Sequence, residues 1–314
     1  GGYYAAHDGV ERCVAEAVRD HYLPKGPGDG LPENLVGVAV AFADKLDQVV
    51  AFMGADLGPT GSGDPMGVRR AALGILRVVQ ERKLRLGLRA IIAQASQPYF
   101  DSESLPEPTS STFGMKLAEA VALSRHQTGS IVGEPGADFV QGVLDFLIDR
   151  LRVQLRTEGA RHDVLNAVLG AGQDDDIVRL LARTAAVATF LGTEAGGNLV
   201  AAYRRAANIL RIETKKDGHE FDGAINSDLL EETAERDLAL AIGQVGPAVA
   251  ASVAGEKFTD AMASLAALRG PVDAFFEAIL VNAERPELRQ NRLRLLFHLR
   301  AAMNMAADFS KIEG

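Results

Sequence analysis

The sequence predicts an all-α protein. Apolar residues recur at steps of three and four along most of its 314 residues, which is the spacing of helices buried along one side. Valine, isoleucine and threonine do not alternate with polar residues over any run, and no Asn-Gly or Asp-Gly turn joins two strand-like segments. A composition of 47% hydrophobic and 24% charged residues is ordinary for a globular protein, and the length allows two or three domains.

The first predicted helix starts at a capping box, with Asp8 as the N-cap and Glu11 at the N3 position, and runs to Pro24. Cys13 on this helix is interpreted as a small buried hydrophobe. Because it is the single cysteine, an internal disulfide framework and a Cys-based zinc site are excluded. The second predicted helix covers residues 35–53, whose apolar residues form one stripe.

A glycine- and proline-rich loop at residues 54–65 ends in the next helix start. Asp64 suits the N-cap and Pro65 the first position of a helix that is expected to continue to about Ala95. Positions 69 to 89 hold seven basic residues and one acidic residue, a net charge of +6 in a protein whose net charge is −9. These positions, called the basic segment below, contain Arg69, Arg70, Arg77, Arg82, Lys83, Arg85 and Arg89, together with Glu81.

Beyond the basic segment we expect a Ser-, Pro- and Glu-rich linker near residues 97–116. Further helices are predicted at residues 137–157, 162–169, 175–191 and 196–211 and, after a charged break at 212–218, at 227–243, 248–270, 272–282 and 286–307. The sequence therefore predicts a helical domain at residues 1–135, a helical middle region at 136–216 and a C-terminal helical bundle at 217–314.

Composition favours a cytoplasmic protein without a membrane partner. The longest uncharged run, residues 238–255, is interpreted as too short and too weakly apolar to span a bilayer, and no signal peptide is visible. The net charge of −9 argues against a surface that binds polyanions everywhere. Since the chain begins with Gly1 and Gly2 and not with methionine, we expect it to be a fragment of a longer chain.

Arginines in three places are candidates for contacts with nucleic-acid phosphates. Arg69 and Arg70 come in the first turn after a Gly-rich loop, and three arginines of the last predicted helix share one face while Leu293, Leu296 and Phe297 are turned inward. The candidate contacts are Arg69, Arg70, Arg77, Lys83, Arg204, Arg205, Arg285, Arg289 and Arg292, with ordinary solvated side chains as the alternative. Aromatic residues make up 6% of the chain and tryptophan is absent, so phosphate contacts are expected rather than base stacking.

Three motifs occur in order in the first half of the chain: ADKLD at residues 43–47, PTGSGDP at 59–65 and RRAALG at 69–74. In this order they resemble the β subunit of bacterial glycyl-tRNA synthetase, in the part of that family built as an HD-type domain. The resemblance implies an HD-like helical domain in residues 1–135.

Later segments resemble the same subunit. Residues 146–169 and 203–210 are similar to its middle, and residues 221–314 resemble its DALR-type anticodon-binding domain. The resemblance covers essentially the whole chain and weakens only at residues 97–136. It implies an HD-like helical domain, a helical middle region and a C-terminal DALR-type helical bundle.

The resemblance implies a tRNA-binding, non-catalytic part of a ligase of protein biosynthesis. Glycine activation would belong to a separate α subunit in an α2β2 holoenzyme that uses ATP and Mg, and this chain would carry no cofactor itself. The HD-like region would hold the acceptor side of tRNA(Gly), and the DALR-like region would hold its anticodon. Whether the chain has any activity of its own stays open, because no self-sufficient active site is visible in it.

Two alternatives to tRNA binding stay open. The first is an active HD-type phosphohydrolase, which needs paired His and Asp ligands around one or two divalent ions. His7, Asp8, His21 and Asp44 are residues of these types, but structural roles are favoured, so that His21 and Asp44 are kept only as vestigial metal ligands. The second alternative is a helical scaffold that docks the α subunit without touching RNA.

Overall fold

The computed structural model describes residues 1–61, 63–100, 136–172 and 174–313. Within these residues the protein is all-α, as predicted, and the β-type pairing consists of an isolated bridge between Thr60 and Gly63. The helices are α1 (Gly2–His7), α2 (Arg12–Asp20), α3 (Leu35–Gly54), α4 (Val68–Glu81), α5 (Leu88–Phe100), α6 (Ala137–Thr157), α7 (His162–Gly170), α8 (Ile177–Leu191), α9 (Glu194–Asp217), α10 (Thr233–Ala254), α11 (Phe258–Ala266), α12 (Arg269–Ala278) and α13 (Pro286–Asn304). Short 3-10 helices lie at Ser227–Leu229 and Phe309–Lys311.

The helices form two compact units. The first unit contains residues 1–159 and 175–178, and the second contains residues 160–174 and 179–314. In the first unit α3 is central, because it packs against α2, α4, α5 and α6. The fully buried side chains of Val49, Ile75 and Leu147 belong to this core. The apolar stripe that predicts α3 from the sequence is therefore the surface around which the first unit is built.

The charged side chain of Lys45 lies inside the first unit. Its Nζ donates to the carbonyl oxygen of His21 at 3.2 Å, and burial lowers the pKa of the ammonium group. Its methylene groups lie against Gly74 of α4, where an added Cβ would come within 2.8 Å of them. The glycine therefore leaves the space that this lysine fills between α3 and α4.

In the second unit α9 and α13 run antiparallel. Tyr203 in the first half of α9 donates to Oδ1 of Asn304, the last residue of α13, at 2.9 Å. At the other end, Arg289 near the start of α13 pairs with Glu213 and Asp217 near the end of α9. Helix α10 packs against α11, α12 and α13, and α9 also contacts α12. These contacts make α9, α10 and α13 the frame of the second unit.

The predicted capping box at Asp8 is wrong. Asp8 follows the last residue of α1, and Gly9 adopts a left-handed conformation with φ +76°. The amide of Val10 donates to the oxygen of Ala5 and the amide of Gly9 to that of Ala6, which is a Schellman ending. The Asp-Gly pair therefore closes one helix, and α2 begins only after Glu11. Cys13 on α2 is half-exposed rather than buried.

The helix of the basic segment is shorter than predicted at both ends. It begins at Val68, and Asp64 lies outside it, although both carboxylate oxygens of Asp64 accept the amide of Arg69 at 3.2 Å. It ends at Glu81 because Lys83 adopts φ +51° and the amide of Leu84 donates to the oxygen of Val79. A second Schellman ending thus separates α4 from α5, and the predicted continuation to about Ala95 is wrong.

Two other boundaries differ from the prediction. Residues 97–100 form the last turn of α5, so the linker was predicted to start too early, and residues 101–116 of it lie outside the described residues. The charged break at 212–218 is wrong because α9 continues to Asp217 and ends at Gly218 in the left-handed conformation. The predicted helices that become α3, α6 and α7, and the start of α13 at Pro286, are confirmed.

Helix α10 runs without interruption through Pro247, so the predicted break there is wrong. It has 22 residues, and an 18-residue window within it has a mean hydropathy of 1.4, so by length and composition it could cross a membrane, which corrects the sequence interpretation. A core helix of a globular protein passes the same test, and α10 carries a fully buried carboxylate, Glu235, that is paired with Arg292 of α13. The length and composition of α10 therefore carry no conclusion about a membrane.

We expect the substitution Gly196→Ala to destabilise the second unit. The amide of Gly196 donates to the N-cap hydroxyl of Thr193, and an added Cβ would lie 2.0 Å from the main-chain oxygen of Phe190. The backbone would have to shift, at a cost of about 2 kcal/mol or more. Gly197→Ala is the matched control, because nothing lies within 4 Å of its added Cβ and alanine favours a helix by up to about 1 kcal/mol. Urea unfolding checks both variants, and equal stability of Gly196→Ala and the parent would contradict the expectation.

Candidate nucleic-acid interface

Arg69 stabilises the glycine-rich loop that precedes it. Its guanidinium donates to the main-chain oxygens of Gly61 and Gly63, and its amide donates to Asp64. A side chain that bridges several acceptors in its own loop is a local brace, and these hydrogen bonds occupy donors that a phosphate would need. The prediction that Arg69 also contacts nucleic acid stays a prediction.

Most other arginines of the basic segment also have partners inside the first unit. Arg77 donates to the oxygen of Gly26 at 3.1 Å and pairs with Glu81. Arg82 donates to the oxygen of Pro32. Two more arginines pair with side chains that lie far away in the sequence, Arg85 with Asp176 and Arg89 with Gln141. Most arginine side chains of the basic segment therefore stabilise the contacts between loops and helices of the first unit.

Arg70 and Lys83 differ from their neighbours. Both side chains are exposed, and within the described residues neither has a hydrogen-bond or ion-pair partner. Arg70 lies at a cleft of about 560 Å³ between α4, α6 and residues 24–27, which Lys25 also lines. These cations are the part of the basic segment that is free to meet a phosphate from outside.

The three candidate arginines of the last helix are held by carboxylates. Arg285 pairs with Glu231 and Glu287, Arg289 with Glu213 and Asp217, and Arg292 with Glu235. Glu213 and Glu235 are buried, and hydrogen bonds from Arg289 hold the pKa of Glu213 and the pKa of Asp217 below their ordinary values. These arginines stabilise the second unit, while their contacts with nucleic acid stay predictions.

Arg204 and Arg205 have different surroundings although they are adjacent on α9. Arg204 donates to the main-chain oxygen of Ile312 at 2.7 Å. The guanidinium of Arg205 lies 4.3 Å from the ring centroid of Phe276, and the side chain is exposed. The aromatic ring orients this guanidinium by a cation–π contact, and its N–H groups have no hydrogen-bond partner among the described residues. Arg205 is thus an oriented donor group at the surface.

The vestigial metal ligands do not form a ligand cluster. His21 Nδ1 lies 3.0 Å from the carbonyl oxygen of Val18, and Asp44 is exposed on α3. The ammonium group of Lys45 lies against the main chain of His21, and a fixed cation there disfavours a divalent ion. Among the residues that the structure describes, no group of three or more His, Cys, Asp or Glu side chains could hold a metal ion.

Comparison with known proteins gives two family matches. Residues 1–170 match the model of the family described as glycyl-tRNA synthetase beta subunit, and residues 199–313 match that of the DALR anticodon binding domain. The glycine–tRNA ligase beta subunit of Rhodospirillum centenum is 44% identical over 315 residues, and that of Phenylobacterium zucineum is 40% identical over 317 residues. Each alignment covers 100% of this chain, and the chain spans 40% of the length of each relative.

We expect Arg289→Gln to lower the stability of the second unit by about 2 kcal/mol at pH 7, because it takes from the buried carboxylate of Glu213 its nearest cation and leaves only Lys216, 4.0 Å away. Arg289 lowers the pKa of Glu213 and of Asp217, so its contribution is complete above about pH 5 and is lost as pH falls towards 3 and the carboxylates take up protons.

Urea unfolding at pH 7 and pH 3 measures this difference between parent and variant. Arg70→Gln removes the same group from an exposed position and is the matched control, with an expected change within about 0.5 kcal/mol. A difference between parent and Arg289→Gln that is as large at pH 3 as at pH 7 would overturn the assigned role of the ion pair.

Proposed function

We propose that this chain, which belongs to the glycyl-tRNA synthetase beta subunit family, binds tRNA and positions it for glycylation without making or breaking a bond itself. The match to a DALR anticodon binding domain over residues 199–313 supports this role. The chain corresponds to about two fifths of its curated relatives, so the ligase activity and the partners of the whole protein are part of the proposal.

The observation that carries the proposal is the contrast between paired and unpaired cations. Most basic residues of the candidate set are tied to carboxylates or main-chain oxygens, whereas Arg70, Lys83 and Arg205 are exposed without such partners among the described residues. Exposed cations on an acidic protein attract a polyanion locally while the rest of the surface repels it. Binding confined to such places favours one orientation of the RNA.

In this proposal the chain contributes affinity and orientation. Its first unit holds the acceptor side of tRNA(Gly) through Arg70 and Lys83, and its second unit holds the anticodon side near Arg205. A separate α subunit, in an α2β2 assembly in the cytoplasm, uses ATP and Mg to activate glycine and transfer it. Fixing the RNA relative to that active site accelerates transfer because the reacting ends no longer have to find each other by diffusion.

A second candidate function is docking of a partner subunit without RNA contact. Large apolar side chains are exposed at several places, among them Tyr3 at 93% and Leu280 at 74%. Exposed apolar residues are frequent on monomers, but they also mark interaction surfaces when they cluster. Co-purification with the α subunit that does not depend on salt, in the absence of tRNA binding, would favour this function.

We expect the double variant Arg70→Gln/Lys83→Gln to bind tRNA(Gly) more weakly at low salt. Each phosphate contact that is lost should flatten the slope of log affinity against log salt by about 0.7 to 0.9. Because phosphates carry no base identity, the loss should be similar for tRNA(Gly) and for a non-cognate tRNA. Fluorescence anisotropy across a series of salt concentrations measures both effects.

The charge-matched control is Arg12→Gln together with Lys257→Gln, which also removes two exposed cations. Arg12 pairs with the neighbouring Glu16 on α2, and Lys257 precedes α11. The control should bind tRNA nearly as the parent does. If the parent chain binds no tRNA at low salt, the proposed function is wrong. If the Arg70/Lys83 variant keeps the parental slope, these two residues are not the contacts.

A further inference from the structure

A smaller cleft of about 300 Å³ lies in the second unit between the end of α9, the turn that follows it and the second half of α13. Its floor includes the buried side chain of Leu210. Its walls carry a ring, three cations, a carboxylate and a hydroxyl group, contributed by Phe297, by Arg211, Lys215 and Arg300, by Glu220 and by Thr214. None of the three cations pairs with a carboxylate within the described part of the chain, in contrast to the arginines at the start of α13.

The walls of this cleft are held in place by contacts outside it. The ion pairs of Arg289 with Glu213 and Asp217 fix the end of α9 against α13, and the last turns of α9 line the cleft together with Phe297. The turn that carries Glu220 is anchored because Phe221 is buried and His298 lies 3.1 Å from the oxygen of Gly223. The cleft is therefore a preformed feature of the second unit.

The aromatic wall offers a flat surface for stacking. The guanidinium of Arg300 lies 5.4 Å from the ring centroid of Phe297, one turn away on the same helix, and both side chains are half-buried. Aromatic rings and guanidinium planes are the groups on which proteins stack unpaired nucleobases. On α9, Arg211 and Lys215 are four residues apart and both exposed, so they can meet successive phosphates of one strand.

We propose that this cleft binds one unstacked nucleotide of an RNA single strand, with its base against Phe297 and Arg300 and its flanking phosphates against Arg211 and Lys215. A volume of about 300 Å³ is at the lower end of the range for small-molecule sites, which suits one nucleotide and not a duplex. The proposal rests on the proposed tRNA-binding function and specifies which part of the surface reads a base.

Glu220 gives the cleft a preference among bases. A carboxylate only accepts hydrogen bonds, so it suits a base with an exocyclic amino group, such as cytosine or adenine, better than uracil, whose one donor on that edge, N3–H, is flanked by two carbonyl oxygens that repel a carboxylate. Glu220 is exposed and has no hydrogen-bond partner among the described residues, so it is available for such a contact.

The first test compares Phe297→Leu with Lys215→Gln in anisotropy titrations of tRNA(Gly) at several salt concentrations. Loss of stacking should weaken binding by Phe297→Leu on the order of tenfold with an unchanged salt slope. Lys215→Gln should flatten the slope by about 0.7, the value for one contact on a single strand. Phe297→Tyr should bind as the parent does, since it keeps the ring, and urea unfolding of each variant confirms the fold.

The second test uses fluorescein-labelled RNA pentamers of cytidine or of uridine and a blunt RNA duplex. We expect the parent to prefer the cytidine pentamer to the uridine pentamer several-fold, Glu220→Gln to reduce that preference, and Phe297→Leu to leave duplex binding unchanged. If the parent binds tRNA but Phe297→Leu binds it equally well, the cleft is not a nucleotide site and the proposed function stands. If the parent binds no RNA of any kind, both proposals are wrong.

Discussion

The guanidinium of Arg289, held between Glu213 and Asp217, is the interaction on which the second unit depends most. It joins the end of α9 to the start of α13, two segments about seventy residues apart in the chain. The antiparallel packing of these helices, the position of the turn after Gly218 and the shape of the small cleft all follow from this junction. Arg289, which the sequence predicted as a contact with RNA, thus positions the side chains that line the small cleft.

Helices could be predicted from the sequence wherever an apolar stripe was long enough. The bounds of α3 and α6 follow from side-chain periodicity, because burial of one face is what stabilises them. Helix ends were harder to predict. The Asp8–Gly9 pair fits a helix start and a helix end equally well by residue type, and only the left-handed backbone of Gly9 decides between them. The helix end at Lys83 could not be predicted from its residue type, since lysine rarely adopts the left-handed conformation.

The sequence predicted where the basic residues of the candidate site lie, but not which of their side chains are paired within the protein. Counting charges located the basic segment, but a count does not show that Arg77 and Arg82 reach main-chain oxygens some fifty residues away. The role of Phe297 was not predicted either. This residue was assigned to the core because its helical spacing matched that of buried leucines. The ring is half-buried beside Arg300, and only the packing of α9 along α13 exposes it to a cleft.

The hydrogen bonds from Arg77 and Arg82 to the loop at residues 25–33 constrain the two arginines more strongly than the residues of the loop. The accepting atoms, at Gly26 and Pro32, are main-chain oxygens that every amino acid possesses, so loop side chains can be exchanged without losing an acceptor. The donors have no such freedom, because the fixed fork of a guanidinium lets Arg77 reach a loop oxygen and Glu81 together, which the single ammonium group of lysine does not reproduce. In related sequences we therefore expect the loop to drift while the two arginines are retained.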